Sequence, residues 1–124
     1  MSIEERRLRG EQFQETMRPG MSAHLKKRFT GASADFGAYS TELLFGEMWQ
    51  RGGLDVRSRE IAVLGALLGG GYLADFRVHI PIAVNLGLSR DEIFEVIYQL
   101  ALYVGWPRAA EGLAIVEEVL PEPK

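Results

Sequence analysis

Asp75 and His79 stand four residues apart in a stretch with helical patterning, so their side chains share one helix face. A carboxylate beside an imidazole favours the protonated ring and suits it to give or take a proton near neutral pH. Tyr72 lies three residues before Asp75 and falls on the same stripe. Pro81 follows inside the helix, where it removes an amide donor and crowds the carbonyl of Arg77, so a bend near His79 is expected. The plainer reading is a histidine packed at a helix interface with Asp75 as its hydrogen-bond partner.

Two further carboxylates invite chemistry. Glu60 shares a helix face with Val56, Val63, Leu64 and Leu67, so it is either half-buried or paired, with Arg57 and Arg59 close by as cations. The alternative is an exposed first-turn acid favoured by the helix dipole. Glu47 sits in Phe45-Gly46-Glu47-Met48-Trp49 near a helix end, where the dipole disfavours a carboxylate and only solvent or a function accounts for it.

Other chemistries are excluded or weakly supported. The chain has no cysteine, which removes disulfides, thiol nucleophiles and thiolate metal ligands. His24, the only other histidine, lies in a polar stretch without a carboxylate at ligand spacing, so no metal site is expected. Gly69-Gly70-Gly71 joins two helices instead of following a strand, which makes it a poor phosphate loop, and there is no Gly-x-Ser-x-Gly elbow.

The elements that must position these residues all read as helices. Ile3 to about Met17 is a polar helix ended by Pro19-Gly20; Ser22 to Phe29 holds one or two turns; Ala34 to Gln50 reads as one helix ended by Arg51-Gly52-Gly53. Asp55 can cap a helix that runs to the glycine triplet, and Tyr72 to Leu86 forms another, closed by Gly87. Ser89-Arg90-Asp91-Glu92 is a capping box. The helix it opens carries Ile93, Val96, Ile97, Leu100, Ala101 and Val104 on one face, with Phe94, Tyr98 and Leu102 as a second apolar line. A helix apolar on two sides needs cover on two sides, so subunit contacts are expected. Pro107 suits the first turn of a last helix ending near Leu120. No alternating strand pattern, repeat or linker is present, so the expectation is an all-α fold with residues 1–124 as a single domain.

A chain of 124 residues can bury roughly two-thirds of its unfolded surface. Its net charge of −3 argues against a general nucleic-acid binder, and the clusters Arg6-Arg7-Arg9 and Lys26-Lys27-Arg28 read as solvated helix faces. The longest apolar run, Ile61 to Ala74, is interrupted by glycines and too short to span a membrane. The acidic Met-Ser-Ile-Glu-Glu start lacks the apolar core of a secretory leader, so the expected location is the cytoplasm.

Four stretches together resemble the carboxymuconolactone decarboxylase family, the all-α group that includes the alkylhydroperoxidase AhpD-like proteins. They are Phe45 to Trp49, Leu54-Asp55-Val56-Arg57-Ser58-Arg59, His79 to Ile93, and Tyr103-Val104-Gly105-Trp106-Pro107. The peroxidase branch pattern is Glu, eleven residues, Cys, two residues, Cys, three residues, His; Glu60 and His79 fit it in register, while Tyr72 and Asp75 occupy the cysteine positions. The resemblance therefore argues against thiol peroxidase activity and toward the cysteine-less decarboxylase branch. That implies a compact multi-helix AhpD-like domain assembled as a trimer or hexamer. It also implies a cofactor-free lyase converting a carboxylated butenolide, γ-carboxymuconolactone or a related small lactone acid, to an enol-lactone. His79 would be the proton donor, Arg57 or Arg59 the carboxylate clamp, and Glu47 or Glu60 the group that orients the histidine or relays the proton.

On this reading His79 faces a pocket with Tyr72, Asp75 and Glu60, and Tyr103 and Trp106 wall it with aromatic surface. Pro81 departs from the decarboxylase pattern, which tends to carry a basic residue there, and Ile80-Pro81-Ile82 is more apolar than expected. Those departures point to a relative acting on a bulkier or less charged carbonyl compound, by another acid/base lyase or isomerase step. A non-catalytic oligomeric scaffold on the same fold is the third reading.

Overall fold

Ser2 opens α1 (Ile3–Met17) by accepting from the Glu5 amide at 3.1 Å, and Gly20 in the left-handed region turns the chain into α2 (Met21–Arg28). A computed structural model describes residues 1–123. The chain divides into two compact units, Met1–Val56 and the remainder from Arg57. Every regular element among the described residues is helical. No helix among them is long and apolar enough to cross a membrane.

In the N-terminal unit, α2 lacks a cap of its own; the Glu15 carboxylate from α1 accepts from the amides of Gly20 and Ser22, both at 3.1 Å. Those two amides hold the Glu15 carboxyl below its ordinary value. The helix expected over Ala34 to Gln50 is not continuous. It divides into α3 (Ala34–Tyr39), a π-helical segment (Ser40–Phe45) and a short 3₁₀ turn (Met48–Gln50). The cause is tertiary. At Gly10 an added Cβ would stand 2.0 Å from the Thr41 carbonyl oxygen, and at Gly46 2.2 Å from that of Arg6. Two backbones therefore cross with no room for a side chain on either. The Gly46 amide reaches back to the Thr41 carbonyl at 2.9 Å, and Gln50 Nε2 donates to the carbonyls of Phe45 at 2.7 Å and Arg9 at 3.1 Å. Met17, Met21, Phe45 and Trp49 form the buried apolar set, with the Phe13 and Trp49 rings 5.7 Å apart.

The C-terminal unit is built from α4 (Val56–Gly70), α5 (Leu73–Asn85), α6 (Arg90–Val104) and α7 (Trp106–Val119). Their buried stripes interlock: Leu64 and Leu68 from α4, Phe76, Ile80 and Ala83 from α5, Ile93, Ile97 and Ala101 from α6, Ala109 and Val116 from α7. The capping box is present, with Ser89 Oγ accepting from the Glu92 amide at 3.1 Å and Glu92 Oε1 from the Ser89 amide at 3.0 Å. Gly87, at φ +103°, supplies the left-handed turn before it. Arg108 donates through Nη1 to the Leu68 carbonyl at 3.0 Å, and Arg77 on α5 forms a bidentate pair with Glu118 on α7. Helix α5 continues through Pro81, which is exposed.

Candidate active site

Glu60, Leu64 and Leu68 are the buried positions of α4, at i, i+4 and i+8. A carboxylate thus occupies the first place of a stripe whose other members are leucines. Its side chain has no exposed surface, which overturns the reading of Glu60 as a solvated first-turn acid. Isolated burial of a carboxylate is costly, so it needs a partner. His79 supplies one: its Nδ1 lies 2.8 Å from Glu60 Oε1, across the gap from α5 to α4. The second oxygen, Oε2, is buried without a hydrogen-bond partner among the described residues.

This contact fixes the imidazole. An ionised Glu60 can only accept, which assigns the shared hydrogen to Nδ1 and leaves Nε2 as the nitrogen for proton exchange. The His79 side chain keeps 20% of its surface exposed while Glu60 keeps none, so the ring joins a sealed anion to the outside. Helix α5 positions the ring by burying Phe76 and Ala83, three residues before and four after His79, together with the adjacent Ile80.

Asp75, expected as the histidine's partner, is exposed, and the carboxylate that meets Nδ1 is Glu60. Spacing of four residues places two side chains on one face, but it does not outweigh a better aligned acceptor on the neighbouring helix. Sequence carried the signal in the apolar neighbours of Glu60.

The other expected site residues fall elsewhere. Arg57 Nη2 forms an ion pair with Glu92 Oε2, and its Nε donates to the Gly87 carbonyl at 3.4 Å. It therefore ties the start of α4 to the capping box of α6, a use that sequence did not announce. Arg59 is partly exposed on α4. Glu47 belongs to the N-terminal unit, where it meets Arg6 Nε at 3.6 Å. Its neighbours Gly46 and Trp49 serve that unit's packing, so the Gly-Glu-x-Trp stretch has a structural account of its own. Tyr72 begins α5 and is exposed; Tyr103 and Trp106, either side of Gly105 at the α6–α7 turn, keep 83% and 71% of their surface open. They are surface aromatics in the single chain, not the walls of an enclosed cavity. No three His, Asp or Glu side chains cluster to hold a metal ion among the described residues.

The sequence profile of the Carboxymuconolactone decarboxylase family matches residues 34–118, a span that contains Glu60 and His79. The chain belongs to this family. The 4-carboxymuconolactone decarboxylase of Acinetobacter baylyi is 31% identical over 88 residues, 71% of this chain and 66% of that protein. The nitrosuccinic acid decarboxylase npaB of Metarhizium robertsii is 31% identical over 80 residues, 64% of this chain and 56% of that protein. The matched segment thus covers less than two-thirds of either relative's own length. As a member of the family the chain stands on its cysteine-less side, with Tyr72 and Asp75 where the peroxidase branch carries its thiols.

Proposed function

We propose that the protein is a decarboxylase of a small lactone acid, a carboxylated butenolide such as γ-carboxymuconolactone, with His79 as general acid and Glu60 as the residue that orients it. The observation that carries this reading is the hydrogen bond from His79 Nδ1 to a fully buried Glu60. In such a substrate the carbon–carboxylate bond breaks, CO₂ leaves, and the electron pair moves through the ring double bond into the lactone carbonyl. The resulting dienolate takes a proton at carbon from His79 Nε2, and the neutral imidazole is reprotonated from water. Glu60 stabilises the imidazolium without leaving its place, as the buried carboxylate of a hydrolase triad does.

The names of the two relatives support the class. Each describes a small acid with a second electron-withdrawing group, a lactone carbonyl or a nitro group, that can take up the released pair. The apolar Ile80-Pro81-Ile82 stretch carries no argument for a bulkier substrate, because Ile80 and Ile82 are spent in the core and Pro81 faces out. Substrate carboxylates would draw on Arg57, now engaged with Glu92, or on Arg59, in either case after exchange of partners. The aromatic surface at Tyr72, Tyr103 and Trp106 is the natural wall for a ring once a second subunit faces it.

The test is CO₂ release from γ-carboxymuconolactone. Wild-type protein should turn over, and His79→Gln, which keeps a donor for Glu60, should lower the rate by about 10²–10⁴-fold. Full activity in a folded His79→Gln variant would remove the histidine from the mechanism.

A further inference from the structure

The N-terminal unit contains a cavity of about 340 Å³ bounded by α1, α2 and α3, within the range of small-ligand sites. The space arises from small residues. Gly37 packs directly on Phe29, where an added Cβ would come within 2.7 Å of the Phe29 Cβ, and Ala34 and Ala38 bring short side chains to the same wall. Arg7, Glu11, Leu25, Lys26 and Phe29 all line the cavity and all precede residue 34, where the family match begins. The decarboxylase reading therefore does not account for it.

Its chemistry is mixed in a specific way. Leu25, Phe29 and Ala38 are half-buried and apolar, while the charged lining consists of two cations, Arg7 and Lys26, and two carboxylates, Glu11 and Asp35. Lys26 pairs with Glu11 at 3.3 Å. Arg7 spends Nε and Nη2 on Glu42 at 3.4 and 3.3 Å, which leaves its Nη1 edge without a partner among the described residues. Asp35 likewise has no hydrogen bond or ion pair among them, although it lines the same cavity. Thr41 Oγ1 accepts from Gln14 Nε2 at 3.0 Å and so retains its own hydrogen to donate. Once the existing pairs are set aside, one guanidinium edge and one carboxylate remain over an apolar surface. Arg7 is already answered by Glu42 and Lys26 by Glu11, so Asp35 is the charge left to attract a cation, while the Arg7 Nη1 edge and the Thr41 hydroxyl are left as donors; a ligand with both an ammonium and a carboxylate uses all three.

We propose that this cavity binds a small apolar α-amino acid. Its carboxylate meets Arg7 Nη1 and the Thr41 hydroxyl, its ammonium meets Asp35, and its aliphatic side chain lies against Leu25, Phe29 and Ala38.

L-leucine is the probe. Titrated into the full-length ¹⁵N-labelled protein, it should give saturable amide shifts at Leu25, Phe29 and Ala38, with half-saturation on the order of millimolar. 4-Methylpentanoate lacks the ammonium and 3-methylbutylamine lacks the carboxylate, and each should bind at least about ten-fold more weakly. Asp35→Asn, an exposed change that does not threaten folding, should weaken leucine by at least about ten-fold. Ala38→Phe should block it by filling the space. The proposal is overturned by the absence of saturable shifts at about 20 mM leucine, by either analogue binding as well as leucine, or by undiminished binding to Asp35→Asn.

Discussion

His79 Nδ1 lies 2.8 Å from Oε1 of Glu60, a carboxylate with no exposed surface. The pairing joins α4 to α5 and gives the only solvent-reaching member, the imidazole, a fixed orientation. It also separates two roles that the sequence assigned to neighbouring acids, because Asp75 is exposed and outside the pair.

Replacing each carboxylate by its amide should therefore have unequal effects. Glu60→Gln retains an acceptor for Nδ1 but loses the charge that stabilises the imidazolium, so turnover of γ-carboxymuconolactone should fall by about ten- to a hundred-fold, the worth of a hydrogen bond to a charged group. Asp75→Asn should stay within about three-fold of wild type, as an exposed polar change does. Steady-state rates of the two variants decide the matter. A larger loss in Asp75→Asn than in Glu60→Gln would reverse the assignment.

The same pair has a stability signature independent of catalysis. His79→Leu strands a buried carboxylate and should cost about 3–5 kcal/mol in urea unfolding, the usual penalty for breaking a buried pair. Adding Glu60→Met removes the stranded charge, and the double variant should recover most of the loss. If the single and double variants unfold at the same urea concentration, Glu60 is not held by His79 in solution.

How much of this was legible in the sequence depended on distance along the chain. The capping box of α6 was readable because Ser89 and Glu92 are three residues apart and their chemistry is local. The limits of α1 were readable for the same reason, from a polar helix followed by Pro19-Gly20. The continuous helix expected over Ala34 to Gln50 failed because its break is imposed from α1, where Gly10 and the Gly46 crossing displace Thr41 from a regular turn. The site shows the same division. That His79 and Glu60 carry acid/base character was visible; local spacing offered Asp75 as partner and the family resemblance offered Glu47 or Glu60, and choosing among them requires knowing how α4 lies on α5, since the contact spans nineteen residues. Arg57 was read as a free clamp because nothing local reveals that Glu92, already in a capping box, has an oxygen left for it.

Glu15 gives a pH prediction. Its carboxyl is held below the ordinary value of 4.5 by the amide of Ser22 first and that of Gly20 second. A folded-state value below the unfolded one means the contribution is fully present above the unfolded value and fades as pH falls through the folded one. Glu15→Gln can accept with only one oxygen, so it should lower the urea midpoint at neutral pH, and the gap to wild type should close as pH falls through the folded-state value of Glu15. Hydrogen exchange at the α2 amides, faster in the variant at neutral pH, should follow the same course. A gap that widens with acid would show that another group caps α2.

The last expectation concerns assembly. Helix α6 buries Ile93, Ile97 and Ala101 within its own unit, and Phe94 of its second apolar line packs partly buried against the same core, but the rest of that line is left open: Tyr98 is 62% and Leu102 89% exposed, with Tyr103 and Trp106 beyond them at 83% and 71%. Contiguous apolar surface of this kind on a single chain marks an interaction site. A second copy meets the requirement for cover that the helix pattern sets, and it would turn surface aromatics into the wall of a substrate site. Light scattering at micromolar concentration should give a trimer or hexamer. Leu102→Asp places a charge at the most exposed apolar position and should dissociate the assembly while circular dichroism stays helical, since Leu102 makes no contribution to the buried core of its own unit. Turnover should fall with dissociation and return in proportion to reassembly at higher protein concentration. A wild-type protein that remains monomeric and fully active would remove the subunit interface from both the fold and the site.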